Sequence, residues 1–294
     1  VRNLDYKSVR YPGHQALMKM LLEDLQMRDD QETLKDILRR SVIMALMCQG
    51  RIEFESIELA HLIKVREYFG PELARLAPLE EAGIDRDDVF VTTKVWNTDH
   101  GYDETLRAFD KSTGLLGIDE VDLYLIHWPT PARDIYLDSW RALIRLREEG
   151  RARSIGVSNF HEAHLRKIID ETGVIPAINQ IELHPWLPQA HMRDIDARLG
   201  IKTEAWSPLG SGRLIDDPVI GEVAAKHGKS PAQVMVRWSI QLGNIVLPKS
   251  VTPERIEQNI DVFDFVLDDA DMAAIATLES GRRTGPNPDE FNEA

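Results

Sequence analysis

Six apolar runs between residues 89 and 250 each end on a side chain suited to chemistry. They are VFVTTK at Lys94, DLYLIH at His127, SIGVSN at Asn159, AINQ at Gln180, KTEAW at Trp206 and NIVLPK at Lys249. The last of these opens an anion site that can be read residue by residue. Thr252 suits an N-cap and Pro253 the first helical position, so a helix starts there with unpaired N–H groups pointing outward. Such an end attracts phosphate through those donors and its partial positive charge. Lys249 and Arg255 add full charges, and the guanidinium fork fits phosphate in a bidentate way.

The elements that must carry these residues alternate. Buried parallel strands read as continuous Val/Ile/Leu stretches, and strands alternating with helical segments indicate βαβ units. Helices are expected at about 103–113, 137–149, 189–199, 218–227 and 231–241, with another whose apolar face is Leu165, Ile168 and Ile169. Gly114, Gly150, Gly173, Gly200, Gly228 and Gly243 fall where helices should stop. In a (β/α) barrel the working residues stand at the C-terminal strand ends, which is where the six run ends would lie. Residues 1–82 lack this rhythm. Met18, Leu21, Leu22 and Leu25 mark one helical face, and Leu34, Ile37, Leu38, Val42 and Ala45 another; only RIEFE at 51–55 alternates like a strand. The expected division is a helical segment over 1–82 and a barrel portion over 83–294, closed by a polar tail, RRTGPNPDEFNEA, read as a surface strap.

Composition narrows the partners. The chain has 294 residues, 43% of them hydrophobic, enough for a sizeable core, and a formal charge of −14. That charge argues against a nucleic-acid partner, which would need a basic face. The single Cys48 cannot form an internal disulfide and reads as a packing residue. No signal peptide or membrane-length apolar run is present, so the expected address is cytoplasmic, with no membrane partner. No metal ligand set and no oligomeric state are assigned.

The strings GIDRDDVFVTTKVWN, VDLYLIHWP, SIGVSNF, INQIELHPWLPQ, EAWSPLGSG, VLPKSVTPERIEQN and GRRTGPNPDEFN, in this order, resemble the aldo-keto reductase family. The resemblance implies an eight-stranded TIM-type barrel in which hydride passes from NADPH to a small aldehyde, ketone or keto sugar while a tyrosine hydroxyl protonates the oxygen. A free tyrosine has a pKa of about 10 and needs a neighbouring cation to share its proton at neutral pH. Lys94 matches that cation, and His127 matches the histidine that polarises the carbonyl. Taken alone, a strand-end lysine is more often a solvated cap and a histidine before Trp128 and Pro129 a turn residue; the surrounding strings reverse that preference. Ser158, Asn159 and Gln180 match the contacts to the nicotinamide carboxamide, and Trp206 the aromatic stacked on its ring. Ser207, Leu209 and Ser211 would line the pyrophosphate. Lys249 and Arg255 would grip the adenosine 2′-phosphate with Ser250 and Thr252 assisting, and Gln258 and Asn259 near the adenine, which favours NADPH over NADH.

The chain departs from the family before Lys94. The motif resembling DTAxxYGNE, which carries the family's aspartate and proton-donating tyrosine, is not found. Tyr68, in YFGPE, loosely mimics YGNE at about the family's interval from Lys94, against the alternative that it is an ordinary core aromatic. Residues 1–41, with YKSVRYPGH, resemble a stretch of saccharopine-dehydrogenase-like proteins, and 42–82 the C-terminal region of oxygen-independent coproporphyrinogen III oxidases. Neither match includes its parent's catalytic domain, so a composite chain is the simplest account. The expected fold is therefore an incomplete (β/α)8 barrel of about six units, the helical segment replacing the first two, with sheet edges at VFVTT and NIVLP that need cover. Alternatives are an NADP(H)-binding protein without turnover, or a chain without function.

Overall fold

The computed structural model describes Arg86 and residues 89–293. The expectations for residues 1–82, including Tyr68, Cys48, RIEFE and the two N-terminal resemblances, lie outside the described residues.

Six parallel strands follow one another in the sheet in chain order: β1 (Thr92–Val95), β2 (Val121–Ile126), β3 (Ala152–Ser158), β4 (Ile178–Glu182), β5 (Lys202–Trp206) and β6 (Ile245–Val246). Between them run α1 (Tyr102–Leu116), α2 (Tyr136–Glu148), α3 (Glu162–Thr172), α4 (Ala190–Leu199), and the pair α5 (Pro218–His227) and α6 (Pro231–Gln241); α7 (Pro253–Ile260) and α8 (Asp269–Ala276) follow β6. The expected strand–helix rhythm is thus present, with six strands among the described residues. There, β1 and β6 are the two edges of an open sheet.

Two apolar layers follow from the two-residue period of a strand. Leu123, Leu125 and Ile178 point to the concave side and form their own buried cluster. Their neighbours Tyr124, Ile126, Ile155, Val157, Ile181 and Ala205 pack outward against Phe109, Trp140, Leu143, Leu165, Ile168 and Ile195 on the helices. Each such side chain removed from water contributes about 1.5–3 kcal/mol. The concave layer is tight at Gly156, where an added Cβ would meet the Ile178 carbonyl oxygen at 2.6 Å and Leu125 Cδ2 at 2.8 Å.

Helix boundaries have local causes. Asp217 accepts from the Val219 and Ile220 N–H groups at the start of α5, with Pro218 at the first position. Ser230 and Gln233 form a reciprocal cap on α6. Gly114 does not end α1 as expected: the helix absorbs it and stops at Gly117, whose φ of 69° supplies the left-handed cap. The sixth run also ends early. Leu247 N–H still donates to Ala205 O at 3.1 Å, but Pro248 has no N–H to continue the ladder, so Lys249 sits in a loop rather than at a strand tip. Conversely, β4 continues past Gln180 to Glu182. Among the described residues, no helix is long and apolar enough to cross a membrane.

Candidate active site

The C-terminal ends of the strands gather most of the residues singled out in the sequence. Lys94 is in β1 and His127 follows β2, its backbone N–H bonded to Val95 O at 3.2 Å. Ser158 ends β3, Gln180 lies in β4 and Trp206 ends β5.

His127 is electrostatically distinctive. Burial first, then the Lys94 charge and His100, push its pKa down to about 3. The imidazole is therefore neutral at pH 7 and carries one N–H. Its Nδ1 is buried without a hydrogen-bond partner. The Lys94 charge also reaches Glu204, a buried carboxylate on β5: burial raises its pKa, while a 2.5 Å hydrogen bond from Gln180 Nε2 and the Lys94 ammonium oppose the rise. His100 is held neutral too, lowered to about 4 by burial and then by Arg133.

The amides interlock. Asn159 Nδ2 donates to His127 O at 3.0 Å and to Ser158 Oγ at 3.1 Å, and Ser158 Oγ donates to Gln180 O at 2.8 Å. Asn159 Oδ1 accepts from Trp206 Nε1 at 2.8 Å. Asn159 achieves this at a φ of 63°, a left-handed conformation that asparagine tolerates better than most side chains. Ser207 and Ser211 also have positive φ, 50° and 55°, on either side of Leu209. Among the described residues, Thr130, Asp134 and Gln189 complete the non-glycine residues of this kind, and all six lie between the end of a strand and the next α-helix.

Aromatic rings wall this mouth. Trp96 packs edge-on to His127 with centroids 4.9 Å apart, Trp128 lies 6.5 Å from Trp206, and Phe291 from the tail lies 4.6 Å from Trp128. The tail is a strap, as expected. Thr284 and Gly285 bind Glu182, His161 Nδ1 and Asp289 are 2.9 Å apart, and Asn97 Nδ2 donates to Glu293 O at 2.6 Å.

The remaining residues form a second group around α7. Thr252 occupies the N-cap position with Pro253 next, but its side chain makes no capping bond; Ser250 Oγ instead accepts from Thr252 N–H at 3.2 Å. The first-turn donors thus keep no side-chain cap, beside the exposed Arg255 and also beside Glu254. Lys249 and Gln258 are exposed, whereas Asn259 is buried and donates to Pro248 O at 3.0 Å, anchoring the loop.

The aldo/keto reductase family model matches residues 66–280. The chain belongs to this family. The matched range begins ahead of residue 83, where the resemblance was first legible, and takes in Tyr68. An aldo-keto reductase of Mycolicibacterium smegmatis is 59% identical over 214 residues, 73% of this chain and 78% of that relative. The glyoxal reductase of Bacillus subtilis is 46% identical over 238 residues, 81% and 83% of the two chains. A crystal structure of a Gox0644 mutant in complex with NADPH superposes with a TM-score of 0.68 at 50% identity, covering 70% of this chain and 77% of that one. Of the residues that shape this mouth, sequence reasoning passed over Trp96, Trp128, Glu182 and Phe291. The two tryptophans stand two residues after Lys94 and one after His127, so adjacency was the available signal. Glu182 and Phe291 gave none, because their partners are distant in sequence.

Proposed function

We propose that the chain is an NADPH-dependent reductase of small carbonyl compounds, with aldehydes of the glyoxal type as first candidates. One observation carries the reading: a neutral His127 beside the Lys94 charge, at a mouth where Trp206 is fixed by Asn159. A neutral imidazole N–H can hydrogen-bond a carbonyl oxygen as negative charge develops on it, without competing as an acid. Nδ1 is buried without a partner, and Nε2 is the nitrogen assigned the role of donor to the carbonyl.

The residues fit the cofactor. Ser158, Asn159 and Gln180 offer the hydroxyl and amide groups that a carboxamide requires, and Trp206 the flat ring. Lys249, Arg255 and the α7 N-terminus would hold the 2′-phosphate, with Ser250 and Thr252 alongside and Gln258 and Asn259 toward the adenine. Ser207, Leu209 and Ser211 would follow the pyrophosphate. NADPH, when bound, supplies the hydride. Tyr68 is the proposed proton donor and Lys94 the cation that eases transfer of its proton. Support for the reductase reading comes from the family match, from the glyoxal reductase relative, and from the NADPH complex of the similar structure. The aromatic wall of Trp96, Trp128 and Phe291 suits a small substrate with little hydrogen-bonding surface.

The test is turnover of methylglyoxal, followed by loss of NADPH absorbance, with Tyr68→Phe alongside. Removing a positioned acid lowers the rate by about 10² to 10⁴. Full activity in Tyr68→Phe would reject Tyr68 as donor. Saturable NADPH binding without turnover of any small carbonyl would replace the enzyme reading by one of binding alone.

A further inference from the structure

The proposed chemistry leaves one carboxylate at the mouth without a task. Glu182 is 1% exposed and sits next to Trp206 in the β4/β5 register. Its oxygens are nevertheless saturated. Oε1 accepts from Thr284 N–H at 2.5 Å, Thr284 Oγ1 at 2.7 Å, His184 Nε2 at 3.0 Å and Gly285 N–H at 3.3 Å; Oε2 accepts from Gly285 N–H at 3.3 Å, with Arg283 Nη1 3.8 Å away. Burying a carboxylate costs several kcal/mol unless it is hydrogen-bonded. Here, apart from His184, every donor comes from the strap, which lies beyond the range matched by the family model. Burial pushes the Glu182 carboxyl up, but the bonds from His184 and Thr284 outweigh it and hold it below the usual range, so it is charged at neutral pH.

What the carboxylate grips bears on the cofactor residues. A Cβ on Gly285 would lie 2.5 Å from Trp206 Cη2 and 3.5 Å from Glu182 Oε2. Only a glycine backbone fits between them. The indole is therefore held on both of its rings, by Asn159 at Nε1 and by Gly285 at Cη2. Thr284 Oγ1, while donating to Glu182, accepts from Ser211 Oγ at 3.2 Å.

We propose that Glu182 is a positioning residue for the cofactor: by clamping Thr284–Gly285 it fixes the Trp206 indole and the Ser211 hydroxyl together. The inference rests on the reading above, in which these two side chains face the nicotinamide and the pyrophosphate. Glutamine at 182 keeps the size but turns one acceptor into an NH₂ group that cannot accept from the strap N–H donors. Alanine at 285 leaves the carboxylate intact and pushes the indole directly.

The experiment compares wild type, Glu182→Gln and Gly285→Ala by three measurements: hydrogen exchange of the strap without cofactor, the dissociation constant for NADPH, and kcat and KM for methylglyoxal. Glu182→Gln should speed exchange over 282–286 and weaken NADPH about 10-fold, equivalent to about 1.4 kcal/mol. Gly285→Ala should weaken NADPH similarly. In both, KM for NADPH, measured by varying NADPH at saturating methylglyoxal, should move more than kcat, a split that general loss of stability does not produce. Unchanged strap exchange in Glu182→Gln, or unchanged NADPH affinity in Gly285→Ala, overturns the clamp while wild type still binds cofactor. If Glu182→Gln does not fold, Gly285→Ala decides alone. Wild type that fails to bind NADPH overturns the cofactor reading and the clamp with it.

Discussion

Asp196 should make the protein less stable as pH rises, and replacing it with asparagine should remove that dependence. The carboxylate is fully buried on α4, where it accepts from Asn179 Nδ2 at 3.1 Å and Thr203 Oγ1 at 2.9 Å. Burial raises its pKa from 3.8 to about 6 and outweighs both hydrogen bonds, which act in the opposite direction. Between these values the folded state binds the proton and the unfolded state does not, so stability falls as pH climbs through this window and is level above it. At 1.36 kcal/mol per pK unit the loss is about 3 kcal/mol. Asp196→Asn stays neutral throughout but weakens one hydrogen bond, a pH-independent cost of about 1 kcal/mol. The variant should therefore exceed wild type by about 2 kcal/mol at pH 7.5, raising Tm by about 4–8 °C, and fall about 0.5 kcal/mol short at pH 4, just above the unfolded-state pKa. Urea unfolding of both proteins at the two pH values measures this, because the difference between them cancels every other titrating group. An equal difference at both pH values would refute the argument.

Further outcomes follow from the site and the core. His127→Ala should lower kcat by about 10² to 10³, and the wild-type kcat/KM profile should show no histidine ionisation between pH 5 and 8, since His127 titrates at about 3; a histidine limb in that range that vanishes in the variant would count against a neutral ring. Lys249→Ala and Arg255→Ala should each weaken NADPH about 10- to 100-fold, as expected for a charged hydrogen bond of roughly 1.5–3 kcal/mol, and shift NADH little; equal losses for both cofactors would remove the 2′-phosphate from this pair. Gly156→Ala should cost about 1–3 kcal/mol by overpacking, seen as a lower urea midpoint, because its Cβ would press on the Ile178 carbonyl and Leu125.

The strand ends were legible because a buried parallel strand is a continuous apolar run, and the residue that breaks the run is the one at the rim. Lys94, His127, Asn159 and Trp206 were found this way. The same logic misplaced Lys249, since Pro248 ends the pairing before the apolar run ends. In the sequence Asp196 is one charge among Arg193, Asp194 and Arg198, with nothing to single it out; only the packed helix shows that it is the one fully buried. The Glu182 clamp had no local signature, because a carboxylate in IELHP and a glycine in RRTGPNP meet only when the tail crosses the mouth. Gly285 carried no reading of its own within the polar tail, whereas the structure uses its missing side chain. Helices α1 to α7 were readable from their apolar faces and end signals, apart from Gly114, whose helical penalty of about 1 kcal/mol the surrounding turns outweigh; α8 was not read.

The six left-handed side-chain residues have an engineering consequence. Every one is on the rim that holds the site, whereas at the opposite rim the turns that lead from α1, α2, α3, α4 and α6 into the next strand meet the same backbone demand with Gly117, Gly150, Gly173, Gly200 and Gly243. One rim is relaxed; the other stores conformational energy of about 1–2 kcal/mol per residue. Thermostability gained by putting glycine at Ser207 or Ser211 would be drawn from the pre-tension that keeps the working rim in shape, so robustness in this molecule is better sought on its far side.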